Sequence, residues 1–106
     1  MSVVNFDVSR EEAKREVGPG WGLLVDELYD KLPEGVVVHC VKEKFGLLRV
    51  YVGDCTTEFD NYLDELEDRS ALVCEYCGAE GFTQQRHNWI KTLCEVCGKH
   101  GGYIPV

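Results

Sequence analysis

Two short cysteine motifs determine the fold of the C-terminal third of the chain: Cys74-Glu-Tyr-Cys77-Gly78 and Cys94-Glu-Val-Cys97-Gly98. Two cysteines separated by two residues can place both thiolates of a tight turn around one metal ion. The glycine after each second cysteine suits such a turn, because a residue without a Cβ lets backbone amides approach the sulfurs. The sixteen residues 78–93 separate the motifs, a spacing typical of four-cysteine zinc sites.

The motifs predict a zinc ribbon that holds one structural Zn2+. The predicted ligands are Cys74, Cys77, Cys94 and Cys97. Iron is an open alternative, because a rubredoxin-like site uses the same paired motifs. A redox-active pair, or His87 or His100 in place of a cysteine, is less favoured. Four thiolates leave no coordination position for water, so the metal is expected to fold the segment and not to catalyse.

The charge of the chain divides at the first motif. The 106 residues have a net charge of -8. Residues 1–73 hold sixteen acidic and eight basic side chains, whereas residues 74–106 hold three of each. The sequence therefore predicts two domains, an acidic α+β domain over residues 1–73 and a four-cysteine zinc-ribbon domain over residues 74–106. The acidity argues against a basic DNA-binding body.

Periodicity predicts an α-α-β-β-α order in the acidic domain, or α-β-β-α if the short first helix does not form. Ser9-Arg-Glu-Glu12 is a capping box that opens a short first helix, and residues 21–32 repeat apolar side chains every three or four positions, typical of an amphipathic helix. Residues 36–41 and 45–52 are β-branched or alternating and predict an antiparallel hairpin. Thr56 or Thr57 is expected to cap the last helix. Val4, Phe6 and Val8 alternate weakly and suggest an N-terminal extended arm.

Acidic residues crowd the last helix of this domain. Asp60, Asp64, Glu65 and Asp68 are candidates for contact with a partner protein, since such a face can compete with nucleic acid for a basic groove. The simpler interpretation is that they keep the protein soluble.

A small basic-aromatic patch in the ribbon is the candidate nucleic-acid contact. It consists of Arg86, His87, Trp89 and Lys91. The simpler interpretation of Trp89 is a cover over the metal cluster. Phe45, in the hairpin connection, is a contact residue if it is exposed, but we expect it to fold onto the core.

Several patterns are absent from the sequence. It contains no phosphate-binding loop, no zinc-protease helix motif and no nucleophile elbow, so we predict a protein that is not an enzyme. It also contains no apolar run of membrane-spanning length and no signal-peptide pattern. The expected location is the cytoplasm, without a membrane partner.

Three further motifs resemble those of a known group of proteins. They are Val41-Lys-Glu-Lys-Phe-Gly-Leu-Leu-Arg-Val-Tyr-Val52, Gly20-Trp21-Gly22 and Trp89-Ile-Lys-Thr-Leu-Cys94. Together with the cysteine motifs they resemble small, poorly characterised proteins of bacteria, their phages and prophages. The resemblance spans residues 18–98, departs from the usual pattern at Leu47 and Val50, and implies this architecture in a mobile-element setting. It implies no catalytic residues.

The predicted function is a non-enzymatic zinc-ribbon binding protein, encoded by a phage or mobile element. It would modulate or inhibit a host protein complex, such as an antiviral nuclease complex of the CRISPR type or RNA polymerase. The alternative is a small nucleic-acid-binding regulator. The sequence assigns no role to Cys40 and Cys55 and leaves the oligomeric state open.

Overall fold

The computed structural model describes residues 7–106, so Val4 and Phe6 of the predicted arm lie outside the described residues. The fold is mixed α+β, as predicted. The helices in this range are α1 (Arg10–Glu16), α2 (Gly22–Lys31), α3 (Thr57–Ser70) and α4 (Glu95–Gly101). The strands are β1 (Val38–Lys44), β2 (Leu47–Val52), β3 (Phe82–Arg86), β4 (Trp89–Leu93) and β5 (Ile104–Pro105). None of these helices combines the length and apolar character needed to cross a bilayer.

Two predicted helix starts are confirmed. The Ser9 hydroxyl accepts a hydrogen bond from the Glu12 amide at 3.1 Å, and the Glu12 carboxylate accepts one from the Ser9 amide at 2.9 Å. At α3 the cap is Thr56, whose hydroxyl accepts from the amide of Phe59 at 3.1 Å. Each contact satisfies amide groups that have no partner inside their own helix.

One hydrophobic core joins α1, α2, α3 and the β1–β2 hairpin. Helix α1 contributes the buried Ala13, and the large buried side chains come from the rest of this group: Trp21, Val25, Leu28, Val41, Leu48, Phe59 and Leu66. Polar contacts at the edge of this core link α2 to α3. Glu27 accepts a hydrogen bond from Tyr62 at 2.7 Å and forms an ion pair with Arg69. The helices therefore cover one face of a hairpin that would be unstable alone.

The β1–β2 connection is shorter than predicted, and it leaves Phe45 exposed to solvent. Lys44 pairs with Leu47, so the loop is only Phe45-Gly46. Both residues have positive φ, 54° and 79°, which defines the tight turn that matches strand twist. The expectation that Phe45 folds onto the core is wrong: its side chain is 63% exposed, because the turn points it away from the core face.

The C-terminal segment contains a sheet in the order β4-β3-β5 and one helix that the sequence did not predict. Helix α4 starts directly after Cys94, whose sulfur accepts a hydrogen bond from the Cys97 amide at 3.4 Å. Its glycines, such as Gly98, weaken the intrinsic helix propensity, so periodicity alone does not find it. The C-terminal Ile104–Pro105 pairs with β3 of the same chain.

The turn predicts that Phe45→Asn stabilises the protein. A phenylalanine in the left-handed region is disfavoured, whereas asparagine before glycine is preferred there. We expect the free energy of unfolding to rise by about 0.5–1 kcal/mol in urea titrations. Phe45→Ala is the matched control, because it removes the ring without adding the turn preference. A lower midpoint for Phe45→Asn than for Phe45→Ala would contradict this account.

Candidate metal centre

The four predicted cysteine ligands converge on one point. All four sulfurs, from Cys74, Cys77, Cys94 and Cys97, lie within 4.8 Å of one another. Between the two motifs, the sulfurs of Cys77 and Cys94 are 3.6 Å apart. A tetrahedral zinc with Zn–S bonds of about 2.3 Å places its sulfurs about 3.8 Å apart. The cluster is therefore sized for a metal ion.

The protonation behaviour of the thiols fits the same conclusion. Burial raises the pKa of Cys74, but hydrogen bonds from backbone amides outweigh it and lower the pKa to about 7. The hydrogen bond with Cys94, together with burial, raises the pKa of Cys97 to about 12. Sulfurs this close repel one another as thiolates, so a cation among them is what allows all four to ionise.

The two cysteine pairs lie in different kinds of local structure. Cys74 and Cys77 lie on a turn in which the amide of Gly78 donates to the carbonyl of Cys74 at 3.0 Å. Gly78 has a φ of 85°, which explains the glycine at this position. Cys94 and Cys97 instead bracket the first turn of α4. Neither His87 nor His100 belongs to the metal cluster found among residues 7–106.

The first cysteine turn packs directly against the glycine-rich segment before α2. The amide of Gly20 donates to the carbonyl of Glu75 at 2.7 Å. A Cβ on Gly20 would lie 2.0 Å from the carbonyl oxygen of Cys74, so only glycine fits. Next to it, the fully buried Trp21 donates from Nε1 to the carbonyl of Val73 at 2.8 Å.

A second contact joins the β1–β2 hairpin to β4 through Lys91. Its ammonium lies 3.3 Å from Glu43 and 3.4 Å from Glu75. Desolvation opposes the charge, but the two carboxylates raise the pKa of Lys91. The Thr92 hydroxyl donates to the carbonyl of Gly46 at 2.7 Å, and the Thr92 amide donates to Glu75 at 2.7 Å. Lys91 is thus occupied within the fold.

The other candidate residues occupy separate surfaces. Asp60, Asp64, Glu65 and Asp68 are exposed along α3. Arg86 donates to the carbonyl of Gly101 at 2.6 Å and its guanidinium lies over the Tyr103 ring. The interpretation of Trp89 as a cover over the metal cluster is wrong, because this side chain is 62% exposed and lies beside Phe45 in a shared cleft.

Sequence reasoning did not single out Glu43 and Glu75 as structural residues. Glu75 is only 4% exposed, and its burial raises the pKa of its carboxyl group against the opposing hydrogen bond from Thr92. The hint in the sequence was that Glu75 lies inside the first cysteine motif, although a charged residue there is normally exposed to water. The contact of Glu43 with Lys91 forms only when both halves of the chain have folded.

The cluster predicts about one metal ion per chain by elemental analysis, and the metal should be zinc. Chelation should abolish the structure of residues 74–106, because the segment has little apolar core of its own. Cys97→Ser should lose metal, whereas Cys55→Ser should retain it, since Cys55 lies outside the cluster. Equal metal content in the two variants would contradict the assignment.

The packing of Gly20 predicts that alanine substitutions at two nearby glycines have very different effects on stability. Gly20→Ala should lower the free energy of unfolding by about 1–3 kcal/mol, because its Cβ meets backbone atoms that cannot move freely. Gly22→Ala should leave stability unchanged or raise it, since nothing lies within 4 Å of its Cβ position. Thermal unfolding of both variants measures this; similar effects would refute the close approach.

No protein-family model matches the chain. No curated protein and no solved structure matches it either.

Proposed function

We propose that this protein is a small, non-enzymatic binding protein with one structural Zn2+. In this proposal residues 74–106 are the zinc-binding domain predicted as a ribbon, with the second cysteine pair at the start of helix α4, and residues 1–73 are the acidic α+β domain. The observation that carries it is the convergence of four cysteine sulfurs within 4.8 Å of one another. Four thiolates complete a tetrahedral shell and leave no position for substrate, which favours a structural metal.

The proposed partner is a host protein complex, and the proposed setting is a phage or another mobile element. Exposed carboxylates support this choice of partner, because Asp60, Asp64 and Asp68 follow one another at four-residue steps and so share one side of α3. Within residues 7–106 these three make no ion pair. A row of free carboxylates complements the basic groove of a nucleic-acid enzyme.

Proteins with such a groove include antiviral nuclease complexes of the CRISPR type and RNA polymerase. In this proposal the protein modulates or inhibits one of them by occupying the groove in place of nucleic acid. The acidic row supplies charge that attracts the groove, and the metal-bound segment supplies rigidity. Electrostatic complementarity of this kind acts mainly on the association rate and weakens with salt.

A pair of charge-matched variants tests the proposal. One variant carries Asp60→Asn, Asp64→Asn and Asp68→Asn; the control carries Glu16→Gln, Glu34→Gln and Glu95→Gln, which are also exposed. Each loses three negative charges. We expect the α3 variant to lose capture of a nucleic-acid enzyme from host lysate, and the control to retain it, as measured by quantitative mass spectrometry. Equal capture by both would contradict a role for the α3 row.

A further inference from the structure

Two hairpin tips, far apart in sequence, meet at one end of the fold and expose aromatic rings there. Phe45 at the β1–β2 tip is 63% exposed, and Trp89 at the start of β4 is 62% exposed. Both line one open cleft of about 500 Å³, together with Glu43, Lys44, Asn88 and Ile90. Large exposed aromatic side chains in one place are uncommon on a protein surface that has no ligand.

The backbone holds these two rings in place. Gly46, directly after Phe45, packs against Lys91 and Thr92, and a Cβ on Gly46 would lie within 3.2 Å of Thr92 atoms. The Thr92 hydroxyl bonds the carbonyl of Gly46 at 2.7 Å. The β1–β2 tip is thus joined to strand β4 by a buried hydrogen bond, so a ligand would meet a preorganised cleft.

The two hairpins also differ in charge from the rest of the chain. Residues 38–52 and 82–93 contain five basic side chains and one acidic one, a net charge of 5 − 1 = +4. The remainder of the chain then carries −8 − 4 = −12. At physiological ionic strength charges are screened over about 8 Å, so a ligand in the cleft responds mainly to the nearest groups.

The charged groups nearest to the cleft favour an anion. Its one acid, Glu43, already accepts from the Gly46 amide at 2.8 Å and pairs with Lys91. Lys44 lines the cleft, and Lys42 lies two residues earlier on the same face of β1. Both lysines are exposed; the ammonium of Lys42 lies 5.5 Å from the Tyr51 ring centre, and that of Lys44 lies 6.0 Å from the Phe45 ring centre. Neither lysine forms an ion pair within residues 7–106.

We propose that this tip cleft binds single-stranded nucleic acid. Bases stack on Phe45 and Trp89, while Lys42 and Lys44 neutralise the adjoining phosphates. A single strand presents free base faces, which a duplex hides, and stacking on aromatic side chains tolerates any sequence. An acidic peptide would satisfy the lysines but would offer no regular planar groups to the two rings. The cleft does not involve α3, so this inference stands apart from the proposed protein partner.

The probe is a short fluorescent oligothymidylate at low salt, followed by anisotropy. Tryptophan emission provides a second readout, because Trp21 is fully buried and Trp89 is exposed, so quenching reports on Trp89. With about two phosphates contacted, the logarithm of affinity should fall with the logarithm of salt with a slope of about −1.4. A duplex of the same length should bind much more weakly.

Variants separate stacking from charge. Trp89→Ala should weaken binding roughly 5- to 150-fold, the range for losing one stacked base. Phe45→Asn removes the other ring while keeping the turn, and should weaken binding in the same range. Lys42→Gln with Lys44→Gln should flatten the salt dependence. The matched controls are Leu23→Ala, an exposed apolar side chain on α2, and Lys31→Gln with Lys99→Gln, which lie outside the cleft.

Three outcomes would overturn the inference. The first is no binding of the oligonucleotide by the intact protein at low salt. The second is equal binding by Trp89→Ala and Leu23→Ala, which would place the contact elsewhere. The third is tighter, Trp89-dependent binding of polyglutamate than of oligothymidylate, which would assign the cleft to an acidic protein segment. Metal content and unfolding midpoints of each variant establish that the fold is retained.

Discussion

The close approach of the Gly20 backbone to the first cysteine turn is the contact on which the rest of the structure depends. The carbonyls of Cys74 and Glu75 occupy the space that any side chain at position 20 would need. Trp21 follows at once and is buried beneath the same turn. The direction of α2 and the placement of the cysteine cluster are therefore set together, and the segment that carries the cysteines packs against the main core.

A second junction, at Lys91, fixes how the cysteine-containing segment is oriented relative to the β1–β2 hairpin. Lys91 lies between Glu43 and Glu75, and removing two carboxylates and an ammonium from water is tolerated only because each has a partner. With both junctions in place, the β1–β2 and β3–β4 tips come together. Opposite charges then occupy different parts of one small molecule: a row of carboxylates on α3, and the basic, aromatic tips at the meeting of the hairpins.

Much of the local structure followed from spacing. The capping box at Ser9, the apolar repeat of α2 and the two cysteine pairs each depend on neighbours within a few residues, so sequence patterns find them reliably. The predictions for Phe45 and Trp89 were wrong for a common reason. Burial of a ring depends on which face the backbone turns toward the core, and the positive φ of Phe45 and the turn before Trp89 direct both outward.

The sequence by itself determined the two cysteine pairs, the helix caps and the amphipathic faces, because these result from periodicity and short-range geometry. It also contained Gly20, Glu43 and Gly46, to which no structural role was assigned, and Lys91, which was assigned to a nucleic-acid contact and is instead paired with Glu43 and Glu75. Only the tertiary structure showed that these residues form the two junctions, and that the rings of Phe45 and Trp89 share a cleft. The physical reason is that close approach, burial of a charge and the meeting of two tips are properties of segments distant in sequence, and they exist only once the chain has folded.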